Sequence, residues 1–211
     1  FLPALQDIKT AYPDRLEIVQ GDALQLSPDS LTTAPYRIIS NLPYNIATPL
    51  FTGWLENSWR DEKWAPRFLS MTCMFQKEVA RRIVAAPGSA DFGRLSVLTG
   101  WLTRARILFD VDRQVFVPPP NVTSSIVHVE PRDHPLAPAA PQILSQVTAA
   151  AFGQRRKMLR ASLKKICSSP RDILAAADIA ETKRAEQLEI HEFCTLARLI
   201  NEQNQQKRGK H

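Results

Sequence analysis

Apolar positions along the chain alternate between short continuous runs and spacings of three to four residues, and that alternation predicts strands interleaved with helices. Leu2, Leu5 and Ile8 share one helical face over residues 1–12, ending near Pro13. Leu16, Glu17, Ile18, Val19 and Gln20 read as a short strand, with Gly21, Asp22, Ala23 and Leu24 at its carboxyl end. The run Tyr36-Arg37-Ile38-Ile39-Ser40, bounded by Pro35, reads as a buried strand. After it, Leu50, Phe51, Trp54 and Leu55 recur at helical spacing, with Thr48 as N-cap and Pro49 in the first turn. Residues 68–75 predict a strand and 76–84 a helix that stops before Pro87 and Gly88; a short helix from residues 92–94 leads into a strand over 103–111, and 124–130 is the last strand. This order points to a mainly parallel sheet with helices on both faces.

Four prolines (131, 135, 138 and 141) mark residues 131–141 as an interdomain linker. Everything beyond it reads as helix. Ile143, Leu144, Val147 and Ala151 form a first stripe, and a second helix runs from Gln154 to Ile166. Ser169, Pro170 and Asp172 cap a third; Phe193, Leu196, Ala197 and Ile200 line a fourth, followed by a polar, frayed tail over 201–211. The expected organisation is an α/β domain over 1–130, the linker over 131–141 and an all-α domain over 142–211.

Composition is ordinary for a globular protein, and no apolar run approaches the length of a membrane span. With no secretory signal in view, the expected location is cytoplasmic. The chain opens at Phe1 without an initiator Met, which reads as an upstream segment removed, cleaved or unseen. Cys73, Cys167 and Cys194 lack C-x-x-C spacing and are expected to be reduced and buried. His128, His134, His191 and His211 share no ligand spacing with them, so no metal site is expected and the histidines read as structural or solvent-facing.

Charge is more informative in its distribution than in its total of +6. Residues 1–137 hold 14 Lys+Arg and 14 Asp+Glu, whereas residues 138–211 hold 13 and 7, so all of the excess lies in the C-terminal third. Six basic residues (Arg155, Arg156, Lys157, Arg160, Lys164 and Lys165) fall within eleven positions that contain no acid. Such repulsion is offset by an external anion or by acids elsewhere in the fold, and nucleic-acid phosphate is the favoured anion.

The stretch that carries chemistry is Asn41-Leu42-Pro43-Tyr44-Asn45, a strand-to-helix corner of the kind at which open α/β sheets bind ligands. An exocyclic adenine nitrogen is a poor nucleophile because its lone pair is delocalised into the ring. Two acceptors, the Asn41 side-chain oxygen and the Leu42 carbonyl, suit its two hydrogens; Pro43 stiffens the backbone and Tyr44 offers a stacking face. The plain alternative is an Asn ending a strand and a Pro shaping a turn. Asp22 sits at the neighbouring strand end, either as an acceptor for a ligand amino group or as the cap of its own loop. Phe116, followed by Val117-Pro118-Pro119-Pro120-Asn121, is held on a proline-stiffened loop. It is either a core plug or the second ring of a clamp that grips an extruded base opposite Tyr44.

Five segments occur here in one order: Asn41-Leu42-Pro43-Tyr44-Asn45, Phe75-Gln76-Lys77-Glu78-Val79-Ala80, Phe92-Gly93-Arg94-Leu95-Ser96-Val97, Phe116-Val117-Pro118-Pro119-Pro120 and Phe152-Gly153-Gln154-Arg155-Arg156-Lys157. In that order they resemble the ribosomal RNA small-subunit adenine dimethyltransferases over nearly the whole chain. The resemblance implies a Rossmann-like class I methyltransferase sheet followed by a small all-α domain. It also implies transfer of two methyl groups from S-adenosylmethionine, without a metal, to N6 of each of two adjacent adenines near the 3′ end of small-subunit rRNA. The partner so implied is rRNA in an immature small ribosomal subunit, and the protein is expected to act as a monomer. Asn41, Leu42, Pro43 and Tyr44 match the family's catalytic tetrad, and Phe116 the aromatic that sandwiches the adenine. Asp22, with Ala23 beside it, matches the acid that contacts the cofactor's adenine, while Asn41 also meets its methionine part. Arg155, Arg156, Lys157, Arg160 and Lys164 would lie along rRNA.

Two departures bear on these expectations. The family's Gly-rich cofactor loop and ribose-binding acid belong upstream of Phe1, and none of the seven glycines forms a G-x-G pattern, so S-adenosylmethionine binding by this chain alone is expected to be weak or absent. Asn121 stands where the family often has Lys. The competing readings are a large-subunit methyltransferase of the macrolide-resistance type and a non-catalytic RNA-binding relative.

Overall fold

In the computed structural model, which describes residues 2–208, a four-stranded sheet flanked by helices runs into a helical C-terminal part. In chain order the elements are α1 (Leu2–Ala11), α2 (Pro28–Leu31), β1 (Tyr36–Asn41), α3 (Tyr44–Glu56), β2 (Trp59–Arg60), β3 (Lys63–Trp64), β4 (Phe68–Gln76), α4 (Lys77–Val84), α5 (Arg94–Leu102), β5 (Thr103–Val111) and β6 (Ser124–Pro131). The helical part adds α6 (Pro141–Phe152), α7 (Leu159–Ser162), α8 (Pro170–Ala176) and α9 (Ile190–Arg208).

The sheet order is β1-β4-β6-β5, with β1 parallel to β4 and the other two pairings antiparallel. The sheet is therefore mixed rather than mainly parallel. The connection from β5 to β6 carries only a 3₁₀ turn, Arg113–Val115, and without a crossover helix the chain can only fold back on itself. The central strand β4 reads as an apolar run because most of its positions are covered.

Two sequence expectations fail at the opposite edge. β1 is an edge strand of the described sheet, not a buried one; its exposure alternates and Ile39 is 84% exposed. Residues 16–20 form no strand, and Val19 is exposed. An extended segment gains little without a neighbour's hydrogen bonds, and among the described residues no strand lies alongside. Likewise α1 forms as the periodicity predicts, yet Leu2, Leu5 and Ile8 remain exposed.

One contiguous apolar core runs through the sheet and the C-terminal helices. Phe92, Phe152 and Phe193 meet at centroid distances of 5.9, 5.5 and 6.5 Å and join the approach to α5 with α6 and α9. Ser96 ties the same region together, accepting from the Gly93 amide at 3.0 Å and donating to the Arg82 carbonyl at 2.7 Å. The proline-rich linker is fastened to α5: Trp101 Nε1 donates to the Ala137 carbonyl at 2.7 Å and the Leu136 amide to the Trp101 carbonyl at 2.8 Å.

The long basic helix expected over 154–166 is broken. Residues 154–157 turn, with the Lys157 amide on the Gln154 carbonyl at 2.8 Å, and only α7 and the 3₁₀ turn Leu163–Lys165 are helical. The Leu159 and Arg160 amides are diverted to the Lys183 and Glu181 carbonyls, so no continuous i to i−4 ladder can form. Conversely α9 continues to Arg208, past the expected fraying point at 201, helped by the Arg198–Glu202 pair at 2.9 Å. Phe1 and residues 209–211, including His211, lie outside the described residues. Among the described residues no helix is long and apolar enough to cross a membrane.

Candidate active site

The corner after β1 is built by one proline and one leucine. Asn41 is the last residue of β1, in register with Met74, and its side chain is exposed. Leu42 is only 5% exposed and belongs to the core, so its buried side chain anchors the backbone on which its carbonyl sits. Pro43, at φ −57°, occupies the N-cap position of α3, and the Ile46 amide makes the first turn's bond to the Pro43 carbonyl at 3.1 Å. The Leu42 carbonyl thus stays outside that bond. This start displaces the predicted one: Thr48 and Pro49 are not cap and first turn but lie within α3. The locked φ of Pro43 initiates the helix earlier than the Thr-Pro signal suggests.

Tyr44 opens α3, half-buried, and its phenol is 2.6 Å from Ser124 Oγ. Phe116 follows the 3₁₀ turn whose cap is Asp112, Oδ1 of which accepts from the Gln114 amide at 2.8 Å. The Phe116 amide donates to the Arg113 carbonyl at 3.3 Å, and the Val117–Pro118 peptide is cis. Phe116 is half-buried and, like Tyr44, lies outside the apolar core, so it is no core plug. Val117, next to it, is 99% exposed. Val111, at the end of β5, pairs with Ser124, so the Phe116 loop leaves and rejoins the sheet at the residue that Tyr44 touches. No ring contact joins Tyr44 to Phe116 among the described residues.

The floor beneath that loop is polar and fully paired. Ser125 Oγ donates to Asp110 Oδ1 at 2.6 Å, and Lys77 Nζ donates to Asp110 Oδ2 at 2.6 Å. Lys77 and Ser125 together hold the Asp110 carboxyl below the usual carboxylate range. The Lys77 amide bonds the Thr123 carbonyl at 2.9 Å. Sequence reasoning gave no role to Ser124, Ser125, Asp110 or Lys77; the traces were Lys77 within the segment Phe75–Ala80 and a polar Thr-Ser-Ser at the opening of the last strand.

The remaining predicted residues separate. Asp22 caps its own turn, its Oδ1 accepting from the Leu24 amide at 2.9 Å and its carbonyl from the Gln25 amide at 3.0 Å. Both Asp22 and Ala23 are exposed. Arg155 reaches sideways: its Nη2 donates to the Ala90 carbonyl at 2.9 Å and fastens the loop before α5. Arg160 pairs with Glu181 at 2.8 Å, and Glu181 also takes Arg171 at 3.0 Å. Arg156, Lys157 and Lys164, with Lys165, are exposed and make no ion pair among the described residues. All three cysteines are buried, as expected, and burial pushes the Cys73 and Cys194 thiols up to about 12. A cavity of about 580 Å³ lies between α3, α5 and α6 and is lined by none of the predicted site residues.

Comparisons with known proteins now bear on this site. A family model described as ribosomal RNA adenine dimethylase matches residues 1–202. Ribosomal RNA small subunit methyltransferase A of Ruegeria sp. (strain TM1040) is 50% identical over 199 residues, 94% of this chain and 70% of that protein. The protein of the same name from Methylobacterium radiotolerans is 54% identical over 198 residues, 93% of this chain and 66% of its own length. Among solved structures, a dimethyladenosine transferase from Plasmodium falciparum superposes with a TM-score of 0.72 at 23% identity, covering 94% of this chain and 78% of its own. The 23S rRNA methyltransferase ErmE superposes at 0.62, also at 23% identity, over 94% and 77%. These two show a shared Rossmann-like fold.

Proposed function

The chain belongs to the ribosomal RNA adenine dimethylase family, and from that premise we propose that it methylates N6 of two adjacent adenines near the 3′ end of small-subunit rRNA, during assembly of the subunit. The observation that carries the reading is the Asn41-Leu42-Pro43-Tyr44 corner, in which an exposed carboxamide and an anchored carbonyl sit beside an aromatic ring at the start of a helix. A flipped adenine stacked on Tyr44 places its amino hydrogens toward the Asn41 Oδ1 and Leu42 carbonyl acceptors. Those acceptors draw the hydrogens out of the ring plane, restoring lone-pair density on the nitrogen, and fix its direction of attack. Phe116, on its rigid loop, covers the other face of the base.

S-adenosylmethionine, when bound, supplies an electrophilic methyl group. The residues present fit part of its site: Asp22 uses one carboxylate oxygen in its own turn, which leaves the second for a ligand amino group, and Asn41 faces open space at the strand end. Asp22, Ala23 and Asn41 are the cofactor-binding residues in this reading, and no metal takes part. The partner is rRNA within the immature small subunit, met by Arg156, Lys157 and Lys164, with Arg160 and Arg155 on the same segment but already partnered. The large-subunit alternative rests only on the fold likeness to ErmE, whereas the relatives at half identity carry a small-subunit name. The test is methyl incorporation into immature small subunits and into naked large-subunit rRNA. Labelling of two adjacent adenines in the former supports the proposal; labelling confined to the latter overturns it, and RNA binding without methyl transfer favours the non-catalytic reading.

A further inference from the structure

Tyr44 has its backbone fixed as the first residue of α3, but nothing in the apolar core holds its ring. A ring that stands outside the core and must stack on a base is free to swing about χ1 unless its tip is tied. Among the described residues the hydrogen bond of that tip is to Ser124 Oγ, 2.6 Å away. Ser124 is itself well held. It is 0% exposed and pairs across the sheet with Gln76 of β4 on one side and Val111 of β5 on the other. The next residue, Ser125, is bonded to Asp110, Asp110 to Lys77, and the Lys77 amide to Thr123, so the backbone is clamped on both sides of Ser124. A hydroxyl buried there without a partner is costly, and Tyr44 supplies that partner.

Resting on the proposed reading of Tyr44 as a base-stacking ring, we infer that Ser124 is the positioning residue of the reaction: it sets the plane of Tyr44 and, as the closing end of the Phe116 loop, keeps the two rings in register. The loop that presents Phe116 begins after Val111 and ends before Ser124, and these two residues pair directly. One serine therefore fixes the far end of one ring and the root of the other. A simple packing role would be served as well by alanine; only a link to the phenol needs the oxygen.

The test uses the intact protein and four variants, Ser124→Ala, Ser124→Thr, Tyr44→Phe and Ser124→Ala/Tyr44→Phe. Each is measured for kcat and KM on immature small subunits, for melting temperature, and for the χ1 rotamer populations of Tyr44 by NMR of 13C-labelled tyrosine. We expect Ser124→Ala to lower kcat about tenfold, the rate equivalent of one neutral hydrogen bond, with KM and melting temperature little changed. Tyr44→Phe should match it, the double variant should be no worse than either single one, and Ser124→Thr should restore most of the rate. Additive losses, or full activity in Ser124→Ala, would overturn the inference. The NMR readout stands apart from the reaction: if wild-type protein fails to methylate, the functional reading falls, yet a Tyr44 side chain that samples several χ1 rotamers in Ser124→Ala and one in the wild type still upholds the tether. Unchanged χ1 populations would sink the tether even in an active enzyme.

Discussion

In the proposed reading a carboxamide at a strand end, that of Asn41, is the smallest unit on which the chemistry depends. Asn41 is exposed while the leucine after it is buried, so backbone and side chain are assigned to different tasks within two residues. Asn41→Ala should lower the rate of methyl transfer by about a hundredfold or more, the scale of losing one preorganised polar contact at a reacting centre, while rRNA affinity stays unchanged. Tritiated-methyl incorporation beside a filter-binding titration separates the two effects. Cys73 and Cys194 give a prediction of a different kind. Their folded thiols are pushed up to about 12 from an ordinary value of 9.0, so they keep their protons where unfolded thiols ionise. Stability is accordingly full below pH 9.0 and is lost as pH rises from there toward about 12. Denaturant titrations at pH 7 and pH 10 should show the fall, and a thiol dye at pH 8 should label these residues only after denaturation. At this scale the strand-to-helix corner at residues 41–44 and the burial of the cysteines were legible, because residue type alone carries them. Asp22 as the cap of its own turn and Arg155 as a loop anchor were not, since each depends on a partner that chain order does not reveal.

Elements form where their neighbours permit, and this explains both what the hydrophobic pattern predicted and what it missed. β4, β5 and β6 appear at the expected positions because they lie side by side, each completing another's ladder. Residues 16–20 have the same strand-like composition but no ladder partner among the described residues, and they stay irregular. The basic run was read as one helix from its apolar spacing, and that spacing does bury Leu159 and Leu163; the amides, however, are claimed by residues 181 and 183. Arg155 marks the resulting corner. Arg155→Ala should lower the melting temperature, costing about 1–2 kcal/mol for its partly exposed carbonyl contact, yet leave the salt dependence of RNA binding alone. Calorimetry and binding at two salt concentrations test both halves. Phe193→Ala, at the junction of α5, α6 and α9, should cost about 3–5 kcal/mol and melt sheet and helices together, because one core serves both.

Over the whole molecule, charge and core are distributed by different rules. The core crosses the proline-rich linker without a break, which composition could not foretell: prolines announce a connection but not the Trp101 and Leu136 bonds that fasten it. Charge does respect the boundary, with the excess of basic residues confined to the C-terminal third. Within that third the structure divides the cations further. Arg155 is turned onto a backbone carbonyl and Arg160 and Arg171 share the Glu181 carboxylate, so these three are held against the protein, whereas Arg156, Lys157, Lys164 and Lys165 are exposed without an ion pair among the described residues. With rRNA as the proposed partner, these four are the cations most exposed to its phosphates. Each phosphate neutralised contributes about 0.7–0.9 to the slope of log affinity against log salt. Replacing all four by Gln should therefore flatten that slope by about 3, weaken binding at low salt by orders of magnitude, and lower kcat far less than it raises KM, since the proposed reading gives none of the four a part in the chemistry. An unchanged slope would mean that the rRNA backbone meets some other face of the protein.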